Sequence, residues 1–312
     1  MRRRSGVALL LLVVALVTAA GCGAKADPSG VEAGRVHVFT STDVWASIVR
    51  AVGGPAVEVT SAISRPDQDP HDYEPTIRDK LAVSKAAVVV YNGGGYDDWA
   101  AQLSEGTAGE RQIVDAVATS GLEKQETARD VGESGGEFNE HVFYDFGAVA
   151  RVADAVASAL GTADPDHRAD YEARATTFRG DLCALTREAA AIGTRHPGLT
   201  AVATEPVAGY LLEAIGITDL TPAGYVEQSE SDAGPSALVR QQTVDLITSG
   251  RAKMLVRGAQ TEDQVSRRLE VAAQSRDIPA VEVSETLPDG VTTYRGFAEK
   301  AIAAFADAAG AS

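Results

Sequence analysis

The stretch that divides the chain in two is Pro165–Ile192, PDHRADYEARATTFRGDLCALTREAAAI. Asp164 in front of Pro165 is typical of a helix start, with the aspartate as N-cap. Behind it, apolar residues recur at helical spacing and predict one buried face. They are Tyr171, Phe178, Leu182, Leu185 and Ala189. At ~1.5 Å per residue such a helix is about 42 Å long, so we expect a rigid spine between two lobes.

On both sides of this helix, short apolar runs alternate with helical patterns. The runs typical of strands are 35–40, 57–63 and 86–92 before the helix, and 199–204, 253–256 and 279–283 after it. Strands that alternate with helices favour βαβ units and parallel sheets. We therefore predict an α/β protein with two parallel-sheet α/β lobes joined by one long rigid helix.

The predicted organisation has five parts. They are a signal peptide at 1–21, a lipidated N-terminus and tether at 22–34, an N-terminal α/β lobe at 35–164, the linking helix at 165–193, and a C-terminal α/β lobe at 194–312. The acidic, glycine-rich stretch 120–136 carries no pattern and predicts a mobile surface loop.

The N-terminus has the form of a secretion signal. Three arginines precede an apolar run at 7–18, and small residues lead to Cys22. This ending resembles the lipobox of bacterial lipoproteins, which implies a lipid anchor on Cys22 at the extracytoplasmic face of the cell membrane. The alternative is an ordinary secretory signal with a chance cysteine. The other cysteine, Cys183, is expected to be a small packing residue.

Composition narrows the class of partner. The 312 residues are 45% hydrophobic and 23% charged, as in a globular protein, and the formal net charge is −16. Such acidity argues against a nucleic-acid partner and against electrostatic attachment to anionic lipid. The triple glycine 93–95 lacks a phosphate-binding fingerprint, so we interpret it as a tight turn.

Four residues of the types that bind metals follow strand or loop segments. They are His71, in a turn bracketed by prolines, and His141, Glu205 and Glu285. Two imidazoles and two carboxylates can form a closed shell around a divalent transition ion. Spacing alone permits this cluster without requiring it. Taken singly, His71 could be a solvated loop residue, Glu205 a helix cap and Glu285 a surface residue.

Four motifs carry a resemblance to a known family. They are DPHDYEPT at 69–76, NEHVFYD at 139–145, TEPVAGYL at 204–211 and SETL at 284–287. Over about 36–305 the chain resembles the metal-binding solute-binding lipoproteins of zinc and manganese ABC importers. The second motif departs from the family's usual form, since Glu140 replaces a proline and Phe143 a tryptophan. In the fourth, Glu285 replaces an aspartate.

The resemblance implies a fold, a ligand set and a partner. The fold is two α/β lobes around a rigid helix with a metal site in the cleft between them. His71, His141, Glu205 and Glu285 are the implied ligands of one Mn²⁺ or Zn²⁺ ion. The implied role is to capture the ion outside the cell, as a monomer without enzymatic activity, and to deliver it to an ABC-transporter permease.

Two rival functions use the same residues differently, namely a metal-dependent hydrolase and a surface adhesion protein. A catalytic zinc site keeps an open position near a base, whereas ligands from both lobes would enclose the ion. The carboxylate of Glu205 is a harder donor than an imidazole would be, which favours Mn²⁺. Zn²⁺, however, generally binds sites of nitrogen and oxygen ligands more tightly than Mn²⁺ does. Because coordinating imidazoles must be neutral, we expect affinity to fall below about pH 6.

Overall fold

A computed structural model describes residues 31–32, 34–123, 138–229, 234–260 and 263–311. The predicted signal peptide, Cys22, most of the predicted tether and residues 124–136 of the predicted loop lie outside these described residues. Within the described ranges, no helix has both the length and the apolar character needed to cross a bilayer.

The N-terminal lobe is built on a five-stranded sheet. Its strands are β1 (Val31–Glu32), β2 (Arg35–Thr42), β3 (Val57–Ile63), β4 (Val88–Tyr91) and β5 (Gln112–Asp115). β2 pairs in parallel with β3 and β4, and β4 with β5, whereas β1 is antiparallel to β2. The predicted tether therefore ends in a strand. Gly34, at φ 77°, permits the tight turn that lays Val31 beside Val36.

In the described part of this lobe, five α-helices pack with the sheet. They are α1 (Asp43–Gly53), α2 (Ile77–Lys85), α3 (Asp98–Glu105), α4 (Ala116–Ser120) and α5 (Phe146–Ala163). α2 begins with a capping box in which Thr76 and Asp79 satisfy each other's backbone donors. This cap fixes the end of the proline-bracketed turn that carries His71.

The linking helix α6 (Arg168–Arg195) has 28 residues and follows a single 3₁₀ turn at Pro165–His167. Its predicted apolar stripe is buried along its whole length. Asp164 does not cap the helix as predicted, because its carboxylate accepts hydrogen bonds from the Tyr171 hydroxyl at 2.8 Å and from His167 Nδ1 at 2.7 Å. The packing role predicted for Cys183 is wrong, since its position just past Leu182 turns it to solvent.

The C-terminal lobe has a four-stranded, all-parallel sheet in the order β7-β6-β8-β9. The strands are β6 (Thr200–Ala203), β7 (Thr218–Asp219), β8 (Met254–Gly258) and β9 (Ala280–Val283). The helices are α7 (Gly209–Ile215), α8 (Ala223–Ser229), α9 (Ala237–Thr248), α10 (Gln264–Gln274) and α11 (Tyr294–Ala311). The predicted fold class of two parallel-sheet lobes around one long helix is confirmed.

One hydrophobic core runs through both lobes. The ring of Phe178 on α6 packs edge-on against Tyr294 on α11, with 5.7 Å between centroids. The Tyr294 hydroxyl in turn donates to the carbonyl of Phe143 in the N-terminal lobe at 2.8 Å. A close-packed interior has low compressibility and transmits strain, so this shared core couples the two lobes mechanically.

Candidate metal centre

Three of the four predicted ligand residues lie together in the cleft between the lobes. His71 follows β3, His141 directly precedes a 3₁₀ turn at Val142–Tyr144, and Glu285 follows β9. One ligand atom from each lies within 4.8 Å of the other two. Residues that follow parallel strands meet at one edge of a sheet, and here two such edges face each other.

A short turn holds the imidazole of His71. The Asp69 carboxylate accepts the backbone N–H of His71 at 2.8 Å and lies 3.2 Å from its Nδ1. Because a carboxylate accepts hydrogen bonds, it favours the proton on Nδ1 and leaves Nε2 for another partner. A carboxylate behind an imidazole is the usual support of a metal-binding histidine.

His141 is held in the same way by Asn139. The Asn139 Oδ1 atom accepts the backbone N–H of His141 at 3.1 Å and lies 2.9 Å from its Nδ1. The orientation of the amide is fixed because its Nδ2 donates to the Pro206 carbonyl at 3.0 Å. The side chain of His141 is fully buried, and its Nε2 faces Glu285.

Glu285 reaches the cluster from the C-terminal lobe on a loop tied to the N-terminal lobe. The Tyr144 hydroxyl donates to the Ser284 carbonyl at 2.8 Å, and the Leu287 N–H donates to the Asp43 carboxylate at 3.0 Å. The Glu285 side chain is only 3% exposed, and its Oε2 lies 3.5 Å from His141 Nε2. Among the described residues no donor makes a hydrogen bond of good geometry to Oε2, although a hydrogen bond between Glu285 and the Tyr96 hydroxyl contributes to the raised pKa of Tyr96. A nearby cation stabilises a buried carboxylate whose hydrogen bonding is incomplete.

The electrostatics of the cluster are dominated by negative charge. Burial disfavours the charged form of His71, but hydrogen bonds to Asp69 and Glu140 and the charge of Glu285 outweigh it and raise the pKa of His71 to about 11. The fully buried phenol of Tyr96 lies beside both histidines, with ring centroids 4.8 Å from His71 and 5.6 Å from His141. Burial and the charge of Glu285 raise the pKa of Tyr96 well above its usual range. The carboxylates around His71 therefore favour a positive charge at this site, which a proton on His71 or a bound metal ion can supply.

The fourth predicted ligand, Glu205, is placed differently. It follows β6 and is half-buried, and the described residues whose ligand atoms lie within 4.8 Å do not include it. Its charge acts on Tyr225, whose pKa is raised by burial and by the carboxylates of Asp263 and Glu205. The next residue, Pro206, accepts the Asn139 amide, so the loop of Glu205 borders the site.

Sequence reasoning missed three residues at the site: Asp69, Asn139 and Glu140. Asp69 and Asn139 each stand two residues before a histidine, and this shared spacing is a signal that the sequence offers. Glu140 Oε1 lies 3.3 Å from His71 Nε2, although the two residues are 69 positions apart. Burial alone would raise the pKa of Glu140, but the His71 hydrogen bond and the charge of His141 lower it.

Comparison with known proteins identifies the family of the chain. The model of the family described as the periplasmic component A of the zinc-uptake complex matches residues 38–308. The manganese-binding lipoprotein MntA of Halalkalibacterium halodurans is 30% identical over 55% of this chain and 54% of its own. The manganese ABC transporter substrate-binding lipoprotein scaA of Streptococcus gordonii is 28% identical over 58% of this chain and 59% of its own. The chain thus spans between half and three fifths of the length of these two relatives.

Among solved structures, the periplasmic zinc binding protein TroA from Treponema pallidum superposes with a TM-score of 0.75. The match covers 88% of this chain and 99% of that one at 20% sequence identity. At this identity the likeness bears on the fold, and it agrees with the two lobes and the long helix.

Proposed function

Because the chain belongs to the family of periplasmic component A proteins of zinc-uptake complexes, we propose that it captures one divalent transition-metal ion outside the cytoplasm and delivers it to a membrane ABC permease. The observation that carries the proposal is the cluster of His71, His141 and Glu285, whose ligand atoms lie within 4.8 Å and come from both lobes. The ion is the cargo of this protein rather than a resident cofactor.

The proposed ligands are Nε2 of His71, Nε2 of His141 and the carboxylate of Glu285. Asn139 engages Nδ1 of His141, and Nε2 of that ring faces Glu285. The His71 ring has Nε2 3.3 Å from Glu140 and Nδ1 3.9 Å from Glu285, so its Nε2 must leave Glu140 to bind the ion.

Glu205 remains the predicted fourth ligand. The loop that carries Glu205 borders the site through Pro206. For Glu205 to bind the ion, its side chain must change rotamer when the metal binds.

We propose transport rather than catalysis because of where the ligands lie. The His141 side chain is fully buried and that of Glu285 is 3% exposed, and the two belong to different lobes. An ion held between them has two buried ligands from different lobes, with His71, 30% exposed, as the third. A catalytic zinc, by contrast, keeps one position open to water and substrate. Release of the ion therefore requires the lobes, or the loops that carry the ligands, to part.

Manganese is the proposed cargo. Glutamate oxygens are hard donors and suit Mn²⁺ better than an additional imidazole would. The relatives MntA and scaA carry manganese in their names, and TroA carries zinc. We also propose that Cys22 carries the lipid anchor and that the protein acts as a monomer, with lobes at 35–164 and 194–312 and a linking helix at 165–193.

Metal accumulation in living cells tests this function. A strain without the gene should accumulate less manganese from a medium with limiting manganese, and the intact gene should restore uptake. The His141→Ala variant should not restore it, although an exposed control such as Glu299→Gln should. Normal uptake in the deletion strain, or full restoration by His141→Ala, would contradict the proposal.

A further inference from the structure

Glu140 is a buried carboxylate at the site that no predicted ligand set contains. It directly precedes His141, and its side chain is only 10% exposed. Its backbone is fixed, because the Asn92 amide donates to its carbonyl at 2.9 Å and the Val142 N–H donates to the same atom at 2.6 Å. The side chain extends from this fixed point to His71, where Oε1 lies 3.3 Å from Nε2.

The distance between Glu140 and His71 has the size expected for two ligands of one ion. For metal–ligand bonds of about 2.1 Å, neighbouring ligands of a tetrahedral or octahedral ion lie roughly 3.0–3.4 Å apart. His71 Nε2 and Glu140 Oε1 are 3.3 Å apart, and His141 Nε2 and Glu285 Oε2 are 3.5 Å apart. The site thus contains two imidazole–carboxylate pairs with similar spacing. Glu140 is not one of the described residues whose ligand atoms all lie within 4.8 Å of one another, so it reaches an ion at that cluster only by rotation of its side chain.

Metal binding at His71 changes the surroundings of Glu140. The Nε2 atom has one site for a partner, so an ion bound there replaces the hydrogen bond to Glu140. Glu140 would then be a buried carboxylate without that partner, which is costly unless a cation lies near. The ion that displaced the hydrogen bond is that cation, and rotation of the Glu140 side chain brings Oε1 to it.

We propose that Glu140 is a further ligand of the metal ion and that it shifts the preference of the site toward Mn²⁺. The inference rests on the proposed function, because it assigns a residue to the same metal site. A carboxylate added to His71, His141 and Glu285 raises the share of hard oxygen donors and the number of ligands, and both favour Mn²⁺ over tetrahedral Zn²⁺.

The experiment uses metal-depleted protein without a histidine tag and compares wild type with Glu140→Gln, which keeps the shape and removes the charge. Titrations with Mn²⁺ and with Zn²⁺ give the two affinities, and X-ray absorption of the manganese-loaded protein counts oxygen and nitrogen donors. Glu299→Gln, at an exposed ion pair with Arg295, is the matched control. Thermal unfolding of each metal-free protein verifies that the variants fold.

Loss of a direct ligand should weaken Mn²⁺ binding by at least the roughly 10–100-fold that loss of a supporting residue costs. Zn²⁺ binding should weaken less, and the manganese spectrum should lose one oxygen donor. Should wild type bind one ion while Glu140→Gln binds Mn²⁺ equally well, or binds it more weakly with an unchanged donor count, Glu140 is no ligand and the proposed function stands. If wild type itself binds no metal, the proposed function fails as well.

Discussion

Removal of the Tyr144 hydroxyl tests how the two lobes position Glu285. In the folded protein this buried hydroxyl donates to the Ser284 carbonyl at 2.8 Å and accepts the Ser284 N–H at 3.4 Å. Tyr144→Phe leaves both backbone groups without this partner in a buried place. The expected cost is about 1–3 kcal/mol of unfolding free energy. Because Ser284 directly precedes Glu285, metal affinity should also fall, by roughly 10-fold.

Chemical denaturation and metal titration of the same preparations separate the two effects. Tyr171→Phe is the control, since the Tyr171 hydroxyl likewise donates a hydrogen bond, to Asp164 at 2.8 Å, and it lies on the linking helix. The control should lose stability but keep the wild-type metal affinity. A Tyr144→Phe protein that is destabilised yet binds metal as tightly as wild type would refute the idea that this bond positions Glu285.

Three further predictions concern pH, backbone and anchor. Since the pKa of His71 is raised to about 11, its imidazole is protonated in the metal-free protein at neutral pH and binding must displace that proton. Affinity measured by titration should therefore rise ~10-fold per unit between pH 6 and 8, and a plateau above pH 7 would disagree. Gly93→Ala should cost about 1–3 kcal/mol in denaturation experiments because φ is 78° there, whereas Gly180→Ala, in open space on α6, should be neutral or stabilising. Cys22→Ser should release the protein from the membrane fraction, and unchanged fractionation would indicate an ordinary signal peptide.

The pH prediction differs from the one made from sequence, and the reason is structural. A free imidazole titrates near ~6.5, so sequence alone predicts that affinity falls only below about pH 6. In the folded protein Asp69, Glu140 and Glu285 surround His71 and stabilise its charged form. Two of these carboxylates are distant in sequence, and no local pattern could place them there.

Strands with strong local patterns were predictable, and short edge strands were not. The apolar, β-branched run at 57–63 has the same bounds as β3. β5 and β7 were missed because Gln112–Asp115 and Thr218–Asp219 are short and half polar. Their pairing with β4 and β6 is a tertiary effect that overrides weak local preference.

The metal site was also predictable only in part, because local sequence patterns do not reveal tertiary contacts. His71 and His141 lie in motifs whose turn residues hold them rigidly, and the structure brings both to Glu285. Glu140 was noted only as a replacement for proline, because nothing local indicates that its side chain reaches a histidine 69 positions away. Glu205 stays a predicted ligand, because the structure does not include it in the group of ligand atoms that lie within 4.8 Å of one another.

The most direct test of the metal site is a titration of metal-depleted, untagged protein with Mn²⁺ and Zn²⁺, in wild type and in His141→Ala. Wild type should bind one ion tightly per chain. The variant should bind it at least about 100-fold more weakly, since a ligand should contribute no less than the residues that support it. Tight one-to-one binding that survives the loss of His141 would contradict the assignment of this cluster as the metal site.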